Sequence, residues 1–296
     1  MGTPEFAVPC LDKLLQANYN VVGVITAPDK PAGRGKKISM SAVKEFALEK
    51  NLNILQPTNL KNPEFLEELK ALKADIQVVV AFRMLPELVW NMPTFGSINL
   101  HASLLPNYRG AAPINWAIIN GEKETGVSTF FLQHEIDTGK IIFQEKVQIE
   151  EEDYLGEVYE KLMEVGSDLI VKTINAVSEG KYTETPQDHI TDIKHAPKIY
   201  KETGLINWNN DVTDIHNLIR GLSPYPAAWT HLEDKMLKVF KANKVLEKHS
   251  KEFGTLEIDK EKMVFYCKNG SIEITEMQLE GKRRMPTSDF LKGYKH

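Results

Sequence analysis

The chain has 296 residues, 26% of them charged and 42% hydrophobic, with a formal net charge of -5. This is the balance of a soluble folded chain long enough for two cores, and it speaks against disorder, a coiled coil or a surface attractive to nucleic acid all over. No apolar run approaches the roughly 20 residues of a membrane span, no secretory leader is visible, and Cys10 and Cys267 give neither a disulfide framework nor metal-ligand spacing, so the expected setting is the cytoplasm.

Gly2-Thr3-Pro4-Glu5 reads as a turn into a helix, with Thr3 as N-cap, Pro4 in the first turn and Phe6, Leu11, Leu14 and Leu15 as its apolar residues. A doubly wound sheet ordinarily feeds such a turn from a strand, so the expectation is that a first apolar strand of about five residues is missing from the chain. Residues 21–25, 75–81 and 97–101 are short β-branched runs, the mark of buried parallel strands. Between the first two, Pro31-Ala32-Gly33-Arg34-Gly35-Lys36-Lys37 reads on composition as a solvated basic loop, and its glycines lack the spacing of a dinucleotide fingerprint. Asn62 and Pro63 predict an N-cap and first turn for a helix with a stripe of Phe65, Leu66, Leu69 and Leu72. Strand, helix, strand in this order predicts an α/β, doubly wound, mostly parallel sheet with its ligand site at the carboxyl ends of the strands.

Residues 154–178 predict a long helix with Val158, Leu162, Val165, Leu169, Ile170 and Ile174 on one face. The polar stretch from Gly180 to Gly204, with Pro186 and Pro197, reads as a linker. Beyond it come a helix around residues 212–222, a turn at Pro224-Tyr225-Pro226 and strand-like runs at 236–240, 263–267 and 271–274, which together suggest a small β-barrel. The predicted division is therefore 1–180, a linker over 181–204, and 205–296. Residues 201–296 hold 16 Lys and Arg against 14 Asp and Glu, leaving 20 against 27 in residues 1–200, so any RNA contact falls to local patches.

The chemistry concentrates in Ser97-Ile98-Asn99-Leu100-His101. Side chains on a strand alternate faces, so Asn99 and His101 point one way and Ile98 and Leu100 the other. When an amine attacks an activated carbonyl or formyl carbon, the oxygen gains charge that an Asn amide can stabilise, an effect of about 100- to 1,000-fold in rate. The nitrogen must also lose a proton, and a histidine suited to accept it contributes roughly 100- to 10,000-fold. Asp137, if it folds over from the Asp137-Thr138-Gly139 turn, holds the imidazole in one tautomer and stabilises its protonated form, with no Ser or Cys nucleophile required. Each piece alone is weak, because an Asn-x-His pair is usually a satisfied polar pair and Asp-Thr-Gly only a bend.

Their order is what carries the signal. Asn99-x-His101-x-Ser103-Leu104-Leu105-Pro106, Arg109-Gly110-Ala111-Ala112-Pro113-Ile114 and Asp137-Thr138-Gly139 resemble the folate-dependent formyltransferases. Gly2-Thr3-Pro4-Glu5-Phe6-Ala7, the 31–37 segment, Ile219-Arg220-Gly221 and Pro224-Tyr225-Pro226-Ala227-Ala228-Trp229 extend the resemblance over almost the whole chain. It implies transfer of the formyl group of 10-formyltetrahydrofolate to the α-amino group of methionyl initiator tRNA, without a metal. It also implies a Rossmann-like domain joined to a C-terminal OB-like barrel that binds tRNA, with Asn99, His101 and Asp137 catalytic. Ser103, Leu104, Leu105 and Pro106 match the folate-binding turn, and Arg34, Lys36 and Lys37 a tRNA-recognition loop. A monomer is expected. Arg109 is left between substrate contact and helix entrance, and Lys282-Arg283-Arg284 between a charged turn and a phosphate contact; Trp116 and Trp229 read as core or interface aromatics. The rival readings are a formyltransferase acting on a small amine and an RNA- or folate-binding module without catalysis.

Overall fold

In the computed structural model, which describes residues 1–32, 37–187 and 192–294, the chain forms two packing units. Unit 1 comprises Met1–Arg109, Gly126–Val147 and Tyr159–Lys194; unit 2 comprises Gly110–Thr125, Gln148–Val158 and His195–His296.

In unit 1 the β-branched runs pair as parallel strands, over shorter lengths than their sequence suggests. Strand β1 (Val24–Ile25) pairs with β2 (Ile54–Leu55), and β3 (Gln77–Val80) with β4 (Ser97–His101), in register Val79 to Asn99. The first two residues link these pairs: Gly2 N donates to Ile25 O at 3.1 Å and Val80 N to Met1 O at 2.9 Å. Beside them, an apolar cavity of about 460 Å³ is lined by Leu14, Val22, Ile76 and Ile174 among others. On its other side β4 pairs antiparallel with β5 (Glu124–Phe131), His101 facing Ser128, and β6 (Ile141–Gln148) follows. Strand β5 carries buried Thr125, Ser128 and Thr129, which mask its strand character in the sequence.

Helices pack on this sheet through the residues the periodicity selects. Asn62 caps Pro63–Ala71 by accepting from Glu64 N at 2.9 Å, and Phe65 and Leu69 are buried with Ile25 and Val79. The helix Leu155–Ser178 buries Val158, Leu162, Leu169, Ile170 and Ile174. Its Gly166 admits Leu100, whose Cδ2 would lie 2.9 Å from an added Cβ. The opening differs from the reading of the sequence. Glu5–Ala7 is a 3-10 turn without a side-chain cap, the α-helix proper is Val8–Gln16 with Pro9 in its first turn, and Thr3 caps nothing. The reason is local: Phe6 N donates to the Tyr159 hydroxyl at 2.9 Å, so no cap is needed there.

Unit 2 is a six-stranded antiparallel sheet. Strands β7 (Ala228–Leu232), β8 (Lys235–Leu246), β9 (Leu256–Ile258), β10 (Met263–Cys267) and β11 (Gly270–Leu279) run in the order β7-β8-β11-β10-β9, with β12 (Met285–Pro286) on β11. An irregularity between Val239 and Ala242 bends the long strand and lets the sheet curl as a half-barrel. Helix Val212–Leu222 fills the concave side, packing Ile215, Ile219 and Leu222 with Leu237, Val239, Ile272 and Ile274. Burial of such side chains contributes roughly 1.5–3 kcal/mol each. Gly221 lets helix Pro113–Ile119 approach, since a Cβ there would meet Ile119 Cγ1 at 2.7 Å.

The described residues of the 181–204 stretch are pinned by hydrogen bonds despite its linker-like composition. Thr185 bridges Ile141, Lys194 N donates to Asn107 Oδ1 at 3.1 Å, and Ala196 O accepts from Ala111 N at 2.8 Å. No helix among the described residues is long and apolar enough to cross a membrane.

Candidate functional site

His101 ends β4 with only 7% of its surface exposed. Its Nε2 lies 2.8 Å from Tyr108 O, and a carbonyl only accepts, so Nε2 carries the proton and Nδ1 the lone pair. Tyr108 is buried in a left-handed conformation (φ 60°), and its own N–H donates to Lys194 O, which fixes the carbonyl that orients the ring. Nδ1 faces Asp137 Oδ2 at 3.8 Å. That is beyond hydrogen-bond range but close enough for strong attraction once the ring is protonated. The sequence reading gave Asp137 the task of choosing the tautomer. Here the carbonyl of Tyr108 sets it, and the carboxylate lies where it would attract a protonated ring.

Asn99 lies two residues before His101 on the same face of β4, half-buried, and its carboxamide makes no hydrogen bond among the described residues. Both of its N–H groups are thus available to an oxygen that gains charge nearby.

The turn after β4 is built around the Ser128 hydroxyl. Ser128 Oγ donates to Ser103 O at 2.6 Å and accepts from Leu105 N at 3.1 Å and from Gln144 Nε2 at 2.8 Å. Gln144 also donates to Leu105 O at 3.0 Å, and Ser103 Oγ to Asn107 O at 2.7 Å. Ser103 and Leu105 are therefore buried and committed to the shape of the turn, whose Leu105-Pro106 peptide is cis, while Leu104 and Pro106 keep apolar surface. Such a turn suits an aromatic ring laid against Leu104 and Pro106, as a pterin requires.

Asp137 also has a left-handed backbone (φ 56°), and Gly139 beyond it sits so close to β5 that a Cβ would lie 1.8 Å from Phe131 O. Gln187 closes the turn, its Nε2 donating to Asp137 O at 2.9 Å and Gly139 O at 2.7 Å, and its Oε1 accepting from Arg109. Tyr108, Ser128, Gln144 and Gln187 escaped the sequence reading. Their contribution is made through backbone carbonyls and amides, which leave no spacing signature.

Of the expected tRNA contacts, Arg34 and Lys36 lie outside the described residues, and Lys37 opens a short strand, Lys37–Ser39, paired with Lys30–Ala32. In unit 2, Arg220 is buried and structural, donating to Asp153 O at 2.8 Å and Glu150 O at 2.7 Å. Arg284 forks onto Glu276 at 2.8 Å over the Phe240 ring, and the indoles of Trp116 and Trp229 donate to Pro197 O and Lys201 O. Among the described residues no group of three or more His, Cys, Asp or Glu is arranged to hold a metal ion.

Known proteins resemble the chain along its whole length. The family described as formyl transferase matches residues 1–174, and the formyl transferase C-terminal domain matches residues 198–295. The methionyl-tRNA formyltransferase of Flavobacterium johnsoniae is 54% identical over 297 residues, spanning 99% of this chain and 94% of that one. That of Bacteroides thetaiotaomicron is 50% identical over 304 residues, spanning 100% and 94%. Among solved structures, the N-formyltransferase of Helicobacter canadensis, in complex with folinic acid and dTDP-3-aminofucose, matches with a TM-score of 0.70 at 22% identity, over 92% of this chain and 96% of that one.

Proposed function

Because the chain belongs to the formyl transferase family in both of its parts, we propose that it transfers the formyl group of 10-formyltetrahydrofolate to the α-amino group of methionyl initiator tRNA, giving the N-formylated initiator. The observation that carries the chemistry is the His101–Asp137 pair, 3.8 Å apart, on the strand that also presents Asn99.

The acceptor is an amine with an ordinary pKa of about 7.7–8.0 or below, so part of it is already neutral and nucleophilic. As its nitrogen bonds to the formyl carbon, charge gathers on the formyl oxygen and the Asn99 carboxamide donates to it. The nitrogen's proton passes to His101 Nδ1, whose tautomer Tyr108 has set, and Asp137 stabilises the resulting imidazolium. Breaking the bond between the formyl carbon and the folate nitrogen restores the carbonyl. The departing nitrogen takes up the proton that His101 then releases, so no charge is left behind.

The folate lies on the turn of Ser103, Leu104, Leu105 and Pro106. Residues 1–180 supply the chemistry, and 205–296, joined through 181–204, bind tRNA, while Arg34, Lys36 and Lys37 meet its phosphates. The protein acts as a monomer in the cytoplasm, a setting that suits its two buried free thiols. The deciding assay supplies 10-formyltetrahydrofolate with charged initiator tRNA in one arm and small amines, including amino sugars, in another. Formylation of the tRNA is expected; formylation of small amines alone overturns the reading.

A further inference from the structure

The Asp137 turn is an awkward piece of backbone to hold still. Its carboxylate-bearing residue is left-handed, which L side chains resist, and its Gly139 is pressed against Phe131 O. Among the described residues, the side chain of Gln187 bonds two carbonyls of this turn. Nε2 spends both of its protons on the turn, at 2.9 Å to Asp137 O and 2.7 Å to Gly139 O. Oε1 accepts two bonds from Arg109, from Nε at 3.0 Å and Nη2 at 2.6 Å. The orientation of this amide is unambiguous, because a guanidinium only donates and a carbonyl only accepts. All four hydrogen-bonding positions of the amide are used, so it cannot rotate without losing two bonds on each side.

We infer that Gln187 is a positioning residue: by clamping the backbone on both sides of Thr138 and bracing itself on Arg109, it holds the Asp137 carboxylate at its station beside His101. The inference rests on the reading of His101 and Asp137 as the catalytic pair. A small displacement of a catalytic group is enough to cost up to about 100-fold in rate.

The test uses the full chain, with steady-state kinetics on 10-formyltetrahydrofolate and charged initiator tRNA for Gln187→Ala, Gln187→Glu, Asp137→Asn and the Gln187→Ala/Asp137→Asn double variant. Circular dichroism checks that each folds. Gln187→Ala is expected to lower kcat by about 10- to 100-fold with KM for both substrates changed by less than about twofold. On the Asp137→Asn background it adds nothing, since the group it positions has gone. Gln187→Glu keeps an oxygen toward Arg109 but has no donor for the two carbonyls, and loses as much as Gln187→Ala; should the alanine variant fail to fold, the glutamate variant takes its place in the cycle. Wild-type kcat in Gln187→Glu, or losses that multiply in the double variant, overturn the inference. If Asp137→Asn itself leaves kcat unchanged, the catalytic reading of the pair fails instead, so the two failures are told apart.

Discussion

His101 in unit 1 and His216 in unit 2 begin from the same circumstances. They are 7% and 3% exposed, and each places Nε2 against a backbone carbonyl, Tyr108 O at 2.8 Å and Ala242 O at 3.1 Å. They part at the other nitrogen. His101 Nδ1 looks at the Asp137 carboxylate, whereas His216 Nδ1 has no hydrogen-bond partner among the described residues. Around His216 burial is the largest influence, the Ala242 carbonyl and Glu151 only partly favour a charge, and Arg220 and Lys244 oppose one, so its pKa is pushed down to about 4. Burial and a fixed tautomer are thus common to both. What separates the two imidazoles is the group at Nδ1, a carboxylate 3.8 Å from that of His101 and no hydrogen-bond partner among the described residues for that of His216.

The sharpest break of this contrast is His101→Ala. Loss of the base is expected to cut kcat by about 100- to 10,000-fold while leaving tRNA affinity, measured by filter binding, unchanged. An equal loss of affinity assigns His101 to binding. Asp137→Asn is the next step down, because it turns the surroundings of His101 toward those of His216 without removing the ring. In a serine-protease triad the corresponding change costs about 10,000-fold, largely through the wrong tautomer. Here Tyr108 O secures the tautomer, so the loss should be the electrostatic part alone, about 10- to 100-fold in kcat. A loss as large as that of His101→Ala indicates that the carboxylate itself takes the proton.

How far the sequence discloses this differs between its parts. That Asn99 and His101 share one face is legible from strand periodicity alone, because alternation puts them there whatever surrounds them, but that spacing by itself does not mark a site. Asp137 was legible only through the order of motifs, since a bend of three residues says nothing about what it faces. Strand β5 is not legible, because buried Ser128 and Thr129 break its apolar pattern, and their hydroxyls are satisfied by Gln144 and Thr173, partners from other elements. Gln187 was hidden for a related reason. It lies in a polar, proline-punctuated stretch whose composition is that of a connector, and its value to the turn consists of bonds to main-chain carbonyls that any sequence possesses. In unit 2 the strands were read short because the polar positions of the half-exposed β8 and β11 interrupt the apolar runs used to find them.

The other half of the contrast is tested by stability rather than rate. A histidine at about 4 in the folded state and near its ordinary 6.5 in the unfolded chain binds more protons when unfolded between those values. Its contribution to stability is therefore complete above the ordinary value and is lost as pH falls toward the depressed one, by at most about 3 kcal/mol. Urea unfolding across that window should show His216→Gln with a shallower pH dependence than the parent and unaltered kcat at neutral pH. A parallel dependence in the two proteins removes His216 as a source of acid sensitivity.

The smallest effect probes the charges around that ring. Lys244 Nζ pairs with Glu151 Oε1 at 2.8 Å, with side-chain exposures of 22% and 62%, and its positive charge is one of those holding His216 neutral. Lys244→Gln removes that charge and releases Glu151, whose influence favours protonation, so both changes move His216 back toward its ordinary value. Because the pair is partly exposed and screened, the change should be small, seen as a slightly flatter pH dependence whose difference from the parent disappears at high salt. A steeper dependence contradicts the account directly. It means that Lys244 and Glu151 do not act on His216 through their charges, leaving burial, already the largest influence, to set its state.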